Sequence, residues 1–229
     1  MAERTDVRAD LAARRVVAFD FDGTLADTRA GIVGVASTVL RRHGVGDDDL
    51  TRVGDIVGPP FPQAFQLVFG LSEEESVEVT REYRAIYHNL GPDGWPLFAG
   101  VRELLVTLKA DGRILTTASS KRVELLRAGL TDNGVIDLFD LVLGKTSDEG
   151  FSKAQVLARA VDALGMTSSD VVMVGDRRFD VEAAHACSIP CVGVEYGGTA
   201  APGELERAGA VAVVGSVEEL GRLLLGGPR

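Results

Sequence analysis

Asp20 and Asp22 close a short apolar run, Arg15-Val16-Val17-Ala18-Phe19, and lead into Gly23-Thr24. In an extended chain, residues two apart point to the same side. The two carboxylates would then face one spot, with Phe19 and Phe21 turned to the opposite, apolar side. Two like charges so placed need an offsetting cation. A divalent ion supplies it, and Mg²⁺ is held by few carboxylates together with water and substrate phosphate. A second reading makes Asp22-Gly23 a turn pair. It accounts for Asp22 but not for an acid ending an apolar strand at Asp20.

Other apolar runs end on reactive side chains too. Arg113–Ser119 ends on Ser119, whose hydroxyl can donate to a phosphate oxygen or cap the next helix, a role open to Ser120 as well. Val171–Gly175 runs into Asp176, a further carboxylate for a metal, with Asp180 four residues on. Asp180 is read as holding the metal ligands in place, and Asp27 as a helix cap. Lys153 follows Ser152, an expected N-cap. A cation there opposes the helix macrodipole, at a cost of roughly a few tenths of a kcal/mol. A phosphate at the same edge would reverse that balance; a solvated surface lysine is the alternative.

The elements that must position these groups follow from periodicity. Strand-like runs are expected at Arg15–Phe19, Arg113–Ser119, Leu141–Gly144, Val171–Gly175, Cys191–Val194 and Ala210–Val214. Helical patterns separate them at Val101–Ala110, Val123–Leu130, Lys153–Leu164, Val181–Ala186 and Val217–Leu225. Ser72…Glu75, Ser152…Gln155 and Ser216…Glu219 have capping-box spacing. Such alternation implies an α/β fold with a Rossmann-like parallel sheet and helices on both faces. Ligands of such sheets sit beyond the carboxyl ends of the strands. Asp20, Asp22, Ser119, Lys153, Asp176 and Asp180 would all gather at that edge.

One stretch breaks the alternation. Residues 27–95 show helical patterns at Thr28–His43, Pro62–Phe69 and Glu73–Leu90 and no strand. That is too long for one crossover. It is expected to be an inserted α-helical cap subdomain, hinged near Ala26 and Trp95–Leu97, with Trp95 read as hinge packing in preference to the alternative, a substrate contact. Residues 1–26 and 96–229 would form the core.

The formal net charge of -10 argues against binding nucleic acid or an anionic membrane through a broad basic surface. No apolar run reaches transmembrane length. The first fifteen residues carry Glu3, Asp6 and Asp10 and no apolar stretch, unlike a secretory signal. A cytoplasmic location is expected. Cys187 and Cys191 read as two buried thiols and lack the neighbours for a zinc site.

Taken together, these residues resemble the haloacid dehalogenase (HAD) superfamily. Its first motif, Asp-x-Asp-Gly-Thr, matches Asp20-Phe21-Asp22-Gly23-Thr24. Its second, a strand ending in Ser or Thr, matches Ile114–Ser119. Its third, a lysine, matches Lys153, and its fourth, Gly-Asp and a further acid, matches Gly175-Asp176 and Asp180. Ala118-Ser119-Ser120-Lys121, Val57-Gly58-Pro59-Pro60 and Val174–Asp180 resemble the phosphoglycolate phosphatase-like branch with a helical C1 cap, including members named 5′-nucleotidases.

The resemblance implies a Mg²⁺-dependent phosphatase acting on a small phosphorylated metabolite, as a monomer or homodimer. Asp20 would attack phosphorus and form an aspartyl-phosphate. Asp22 would protonate the leaving oxygen and then deprotonate water. Mg²⁺ would be held by Asp20, the backbone carbonyl of Asp22, and Asp176, while Ser119 and Lys153 hold the phosphoryl oxygens. Asp22 argues against dehalogenation, since dehalogenases of this fold lack that acid. A 5′-nucleotidase and a sugar phosphomutase of the β-phosphoglucomutase type are the alternatives. A non-enzymatic binding module would have lost Asp20 or Asp176. The cap candidates for specificity are Arg52, Pro59, Pro60, Gln63, Tyr83 and Arg84.

Overall fold

The computed structural model describes residues 7, 10–147 and 151–227. Its centre is a five-stranded, all-parallel sheet of order β2-β1-β3-β4-β5. The strands are β1 (Val16–Phe19), β2 (Ile114–Thr117), β3 (Val171–Gly175), β4 (Cys191–Val194) and β5 (Ala212–Val214). Every residue of β1, β3 and β4 is buried. Continuous apolar runs of this kind suit strands covered on both faces. Val17, Phe19, Val172 and Val174 pack into one core cluster, while Val16, Ala18, Val171 and Met173 pack into the other. The period-two alternation of the strands thus feeds two helix layers.

The helices of the core are α5 (Val101–Ala110), α6 (Val123–Asp132), α7 (Lys153–Ala163), α8 (Arg178–Ala186), α9 (Glu204–Ala208) and α10 (Val217–Leu224). Between β1 and β2 stand α1 (Arg29–Arg42), α2 (Asp47–Leu50), α3 (Gln63–Phe69) and α4 (Glu73–Tyr87). No named strand lies in that insertion among the described residues. The chain enters and leaves it side by side: Ala26 bridges Leu97, and the Asp27 amide donates to the Pro96 carbonyl at 2.8 Å. Trp95 is fully buried there, and its Nε1 donates to Asp132 Oδ2 at 3.0 Å. Trp95 thus packs where the insertion meets the rest of the chain. No helix is long and apolar enough to cross a membrane among the described residues.

Several expectations need correction. Leu141–Gly144 is not a strand; it meets β2 through one bridge, Thr116 to Leu141. Side chains replace the ladder there. Thr117 Oγ1 accepts from the Leu143 amide at 2.8 Å and donates to its carbonyl at 2.9 Å, and Asp140 Oδ2 accepts from the Leu115 amide at 2.8 Å. Asp27 does not cap a helix. Thr28 holds that position without a side-chain bond, while the Asp27 amide is bonded to the Pro96 carbonyl. Neither Ser119 nor Ser120 caps α6, whose N-cap is Arg122. Cys187 is only half-buried, although both cysteines are free thiols. The Ser72 and Ser152 capping boxes do form.

Candidate active site

The strand register sets the geometry of the site. Phe19 is paired with Thr117 on one side and Val174 on the other. The next residue on each strand therefore emerges at one edge: the Asp20 amide donates to the Val174 carbonyl, and the Ala118 amide to the Phe19 carbonyl, both at 2.9 Å. Asp20, Ser119 and Asp176 are buried at that edge, and Lys153 opens α7 beside them.

Lys153 Nζ lies 2.9 Å from Asp20 Oδ2 and 2.6 Å from Asp180 Oδ1. The second Asp180 oxygen accepts from the Arg177 amide at 3.0 Å. Asp176 accepts from Thr24 Oγ1 at 3.1 Å and from the Thr199 hydroxyl. Gly23, at φ 78°, is required here, because a Cβ would overlap the Asp176 carboxylate. Gly23 opens a turn, and Asp22 before it lines the same cavity as Asp20 and Asp176.

Asp20, Asp176 and Asp180 bring carboxylate oxygens within 4.8 Å of one another. Burial and the charges of Asp180 and Asp20 push the Asp176 carboxyl well above the usual range. Burial pushes Asp180 up to about 6, although Lys153 pulls the other way. Burial disfavours the charge on Lys153, but Asp180 and Asp20 outweigh it and raise its pKa. Asp20 Oδ1 is buried without a hydrogen-bond partner. Three buried acids share one lysine, and that excess of negative charge fits a hard divalent cation with oxygen ligands.

The Asp22 carboxylate is turned elsewhere. Its Oδ1 accepts from Lys121 Nζ at 2.8 Å, so any role as a metal ligand falls to its backbone. Asp180, expected to support the ligands, lies within the same acid cluster. Ser119 Oγ accepts from the Lys121 amide at 3.2 Å, a local turn that fixes the hydroxyl at the strand end.

A cavity of about 90 Å³ lies between this edge and the insertion. Asp20, Asp22, Ser119, Lys153 and Asp176 line one side. Of the insertion's candidates, Pro59, Pro60, Tyr83 and Arg84 line the other. Arg52 and Gln63 do not. Arg52 is exposed and pairs with Asp49 at 2.9 Å, and Gln63 is exposed at the start of α3. The loop before α3 forms the wall, so the helix itself begins beyond it.

The sequence does not single out three of the cavity's cations, Lys121, Arg122 and Arg177. Lys121 lies within the Ala-Ser-Ser-Lys match but has no distinguishing periodicity. Arg177 follows Asp176; its Nη1 donates to the Val57 carbonyl at 2.5 Å and its Nε to Glu204 Oε1 at 3.0 Å. Its adjacency to Asp176 was the one available signal.

Residues 17–194 match the family model described as haloacid dehalogenase-like hydrolase. The chain is 31% identical over 182 residues to a protein of Pseudomonas aeruginosa named 5′-nucleotidase, covering 79% of this chain and 82% of that one. It is 35% identical over 185 residues to the tyrosine-protein kinase PtkA of Mycobacterium tuberculosis, covering 80% of this chain and 62% of that longer protein. A crystal structure of a predicted phosphatase from Clostridium acetobutylicum superposes with a TM-score of 0.86 at 32% identity, covering 93% of this chain and 99% of that one.

Proposed function

This chain belongs to the haloacid dehalogenase-like hydrolase family, and we propose that it is a Mg²⁺-dependent phosphatase that hydrolyses a small phosphomonoester through an aspartyl-phosphate. The observation that carries the reading is Asp20. It follows β1 directly, lines the cavity, and keeps one buried carboxylate oxygen without a partner. That oxygen is suited to attack phosphorus.

Asp22, two residues on, would protonate the leaving oxygen and then take a proton from the attacking water. Ser119 and Lys153 would hold the phosphoryl oxygens. Asp20 and Asp176, with the Asp22 carbonyl, would hold Mg²⁺, which supplies positive charge against carboxylate and phosphate. Asp180 supports this set through Lys153. Residues 27–95 would act as a cap over a core of residues 1–26 and 96–229, excluding bulk water.

The cavity supports a small leaving group. About 90 Å³ is well below the roughly 300 Å³ at which pockets for drug-sized ligands begin. A phosphoglycolate-like substrate suits it better than a nucleotide, which would require the insertion to move. The nucleotidase reading is favoured by the similarity to the Pseudomonas protein.

The test is phosphate release from phosphoglycolate, nucleoside monophosphates and sugar phosphates, with and without Mg²⁺, for the wild type and Asp20→Asn. Metal-dependent release by the wild type and none by the folded variant is expected. Near-normal turnover by the variant would sink the covalent route. Isomerised sugar phosphate without free phosphate would make the protein a mutase.

A further inference from the structure

Lys121 is a buried cation whose neighbours come from two parts of the molecule. Its side chain is 6% exposed. Nζ donates to Asp22 Oδ1 at 2.8 Å and to the Tyr87 hydroxyl at 3.4 Å. It also lies 4.7 Å from the Tyr87 ring centroid and 5.6 Å from that of Phe21. Phe21 and Asp22 belong to the loop after β1, whereas Tyr87 ends α4 of the insertion.

Each partner is itself held. The Tyr87 hydroxyl donates to the Gly94 carbonyl at 3.2 Å, and its ring stacks on Tyr83 with centroids 5.1 Å apart. The edge contact with Trp95, at 5.3 Å, ties it to the hinge. The Lys121 backbone is fixed on the core: its amide donates to Ser119 Oγ and its carbonyl accepts from the Lys145 amide at 2.9 Å. A buried ammonium on four carbons has few places to go under such constraints. It engages one Asp22 oxygen from a fixed direction, and thereby fixes where the other points.

We propose that Lys121 is a positioning residue for phosphoryl transfer: it seats the Asp22 carboxylate toward the leaving oxygen, and Tyr87 of the insertion completes that seat. The inference rests on the phosphomonoesterase reading and deepens it. It explains why a lysine is buried one residue beyond the phosphate-facing serine loop without joining the Asp20–Asp180 cluster. It also makes proton delivery depend on a docked insertion. An undocked insertion would remove the Tyr87 ring and hydroxyl and leave Lys121 free to swing.

The test compares leaving groups. An alkyl phosphate needs its leaving oxygen protonated, whereas a nitrophenyl phosphate needs this little. Lys121→Met is expected to lower kcat on the alkyl ester on the order of 10²-fold, the share that proton transfer supplies. The loss on the nitrophenyl ester should be smaller by roughly tenfold or more, with KM for either ester changed little. Lys121→Arg, which keeps the cation, should recover most of the alkyl activity. Tyr87→Phe should shift the alkyl-to-aryl ratio in the same sense by less. These last two variants carry the test if Lys121→Met fails to fold. An equal loss on both esters, or an unchanged ratio in every variant, overturns the proposal. A wild type that releases no phosphate from either ester with Mg²⁺ overturns the underlying function instead, before any variant is made.

Discussion

Lys153 Nζ stands 2.6 Å from Asp180 Oδ1, with the two side chains 10% and 0% exposed. The lysine is the cation that binds two of the three clustered acids, since it also reaches Asp20. Breaking a buried pair by removing one partner costs about 3–5 kcal/mol, because the other charge is left uncompensated. Lys153→Ala should therefore lower both turnover and the thermal midpoint. At about 2–4 °C per kcal/mol for a chain of this size, the drop should be roughly 10 °C. Asp180→Asn should cost less. Burial has already raised the Asp180 carboxyl to about 6, so a neutral amide of the same shape is better tolerated there. Thermal melts of both variants check the order. Equal midpoints for Lys153→Ala and wild type would return Lys153 to a surface role.

Metal removal has a pH-dependent signature. Asp180 is raised from 3.8 to about 6, and Asp176 is also raised well above 3.8. A raised carboxyl binds protons in the native state that the unfolded chain has released. In metal-free protein its contribution is thus present below about pH 4 and lost as pH rises through about 6, the reverse of an ordinary ion-paired acid. A cation at the cluster competes with those protons and stabilises by mass action. The midpoint gained on adding Mg²⁺ to chelator-treated protein should be larger at pH 7 than at pH 5. No gain at either pH would remove the cation site.

Much of this arrangement was legible in the sequence because it depends on strand ends. β1 and β3 are short runs buried on both faces, so periodicity and the acids that end them place Asp20 and Asp176 at one edge. What failed depends on contacts between distant segments. Leu141–Gly144 looks like a strand, but Thr117 and Asp140 satisfy its neighbour through side chains. Lys121 and Arg177 gain their roles from Tyr87, Val57 and Glu204, which no local pattern connects to them. Arg84, on α4, lines the cavity, whereas Arg52, in the turn after α2, does not, and no local pattern separates the two.

Asp140 offers an acid-side prediction away from the site. Its carboxylate accepts from Lys109 Nζ at 2.7 Å and from the Leu115 amide at 2.8 Å. Burial raises its pKa, but the Lys109 and Leu115 hydrogen bonds outweigh this, and the net shift is downward from 3.8. A depressed carboxyl contributes stability that is fully present above the unfolded value and lost as pH falls through the folded one. Asp140→Asn should therefore melt a few degrees below wild type at pH 7, on the scale of about 1 kcal/mol for a half-exposed pair. The gap should close as pH falls below about 4. A gap that persists unchanged at pH 3 would show that shape, not charge, holds this edge of β2.

Gly58 and Arg177 join the insertion to the core. Arg177 Nη1 donates to the Val57 carbonyl at 2.5 Å, while Glu204 holds the guanidinium at Nε and is itself fixed by the amides of Arg178 and Ala201. Gly58 has φ 117°, a backbone that side chains rarely adopt, and a Cβ there would overlap Arg177 Nη1. Because Glu204 pins one side of the fork, the arginine cannot move aside and keep both bonds. Gly58→Ala should therefore break the Val57 contact and loosen the insertion over the cavity. The expected result is a KM raised on the order of tenfold, with the core's thermal midpoint lowered by little, because the lost bond lies between the two parts and not within the sheet. Arg177→Met should reproduce the rise in KM. If the two residues act through one contact, the double variant will bind substrate little worse than either single one. Steady-state kinetics on all three decide it: fully additive losses in KM would mean that Gly58 and Arg177 serve the cavity separately.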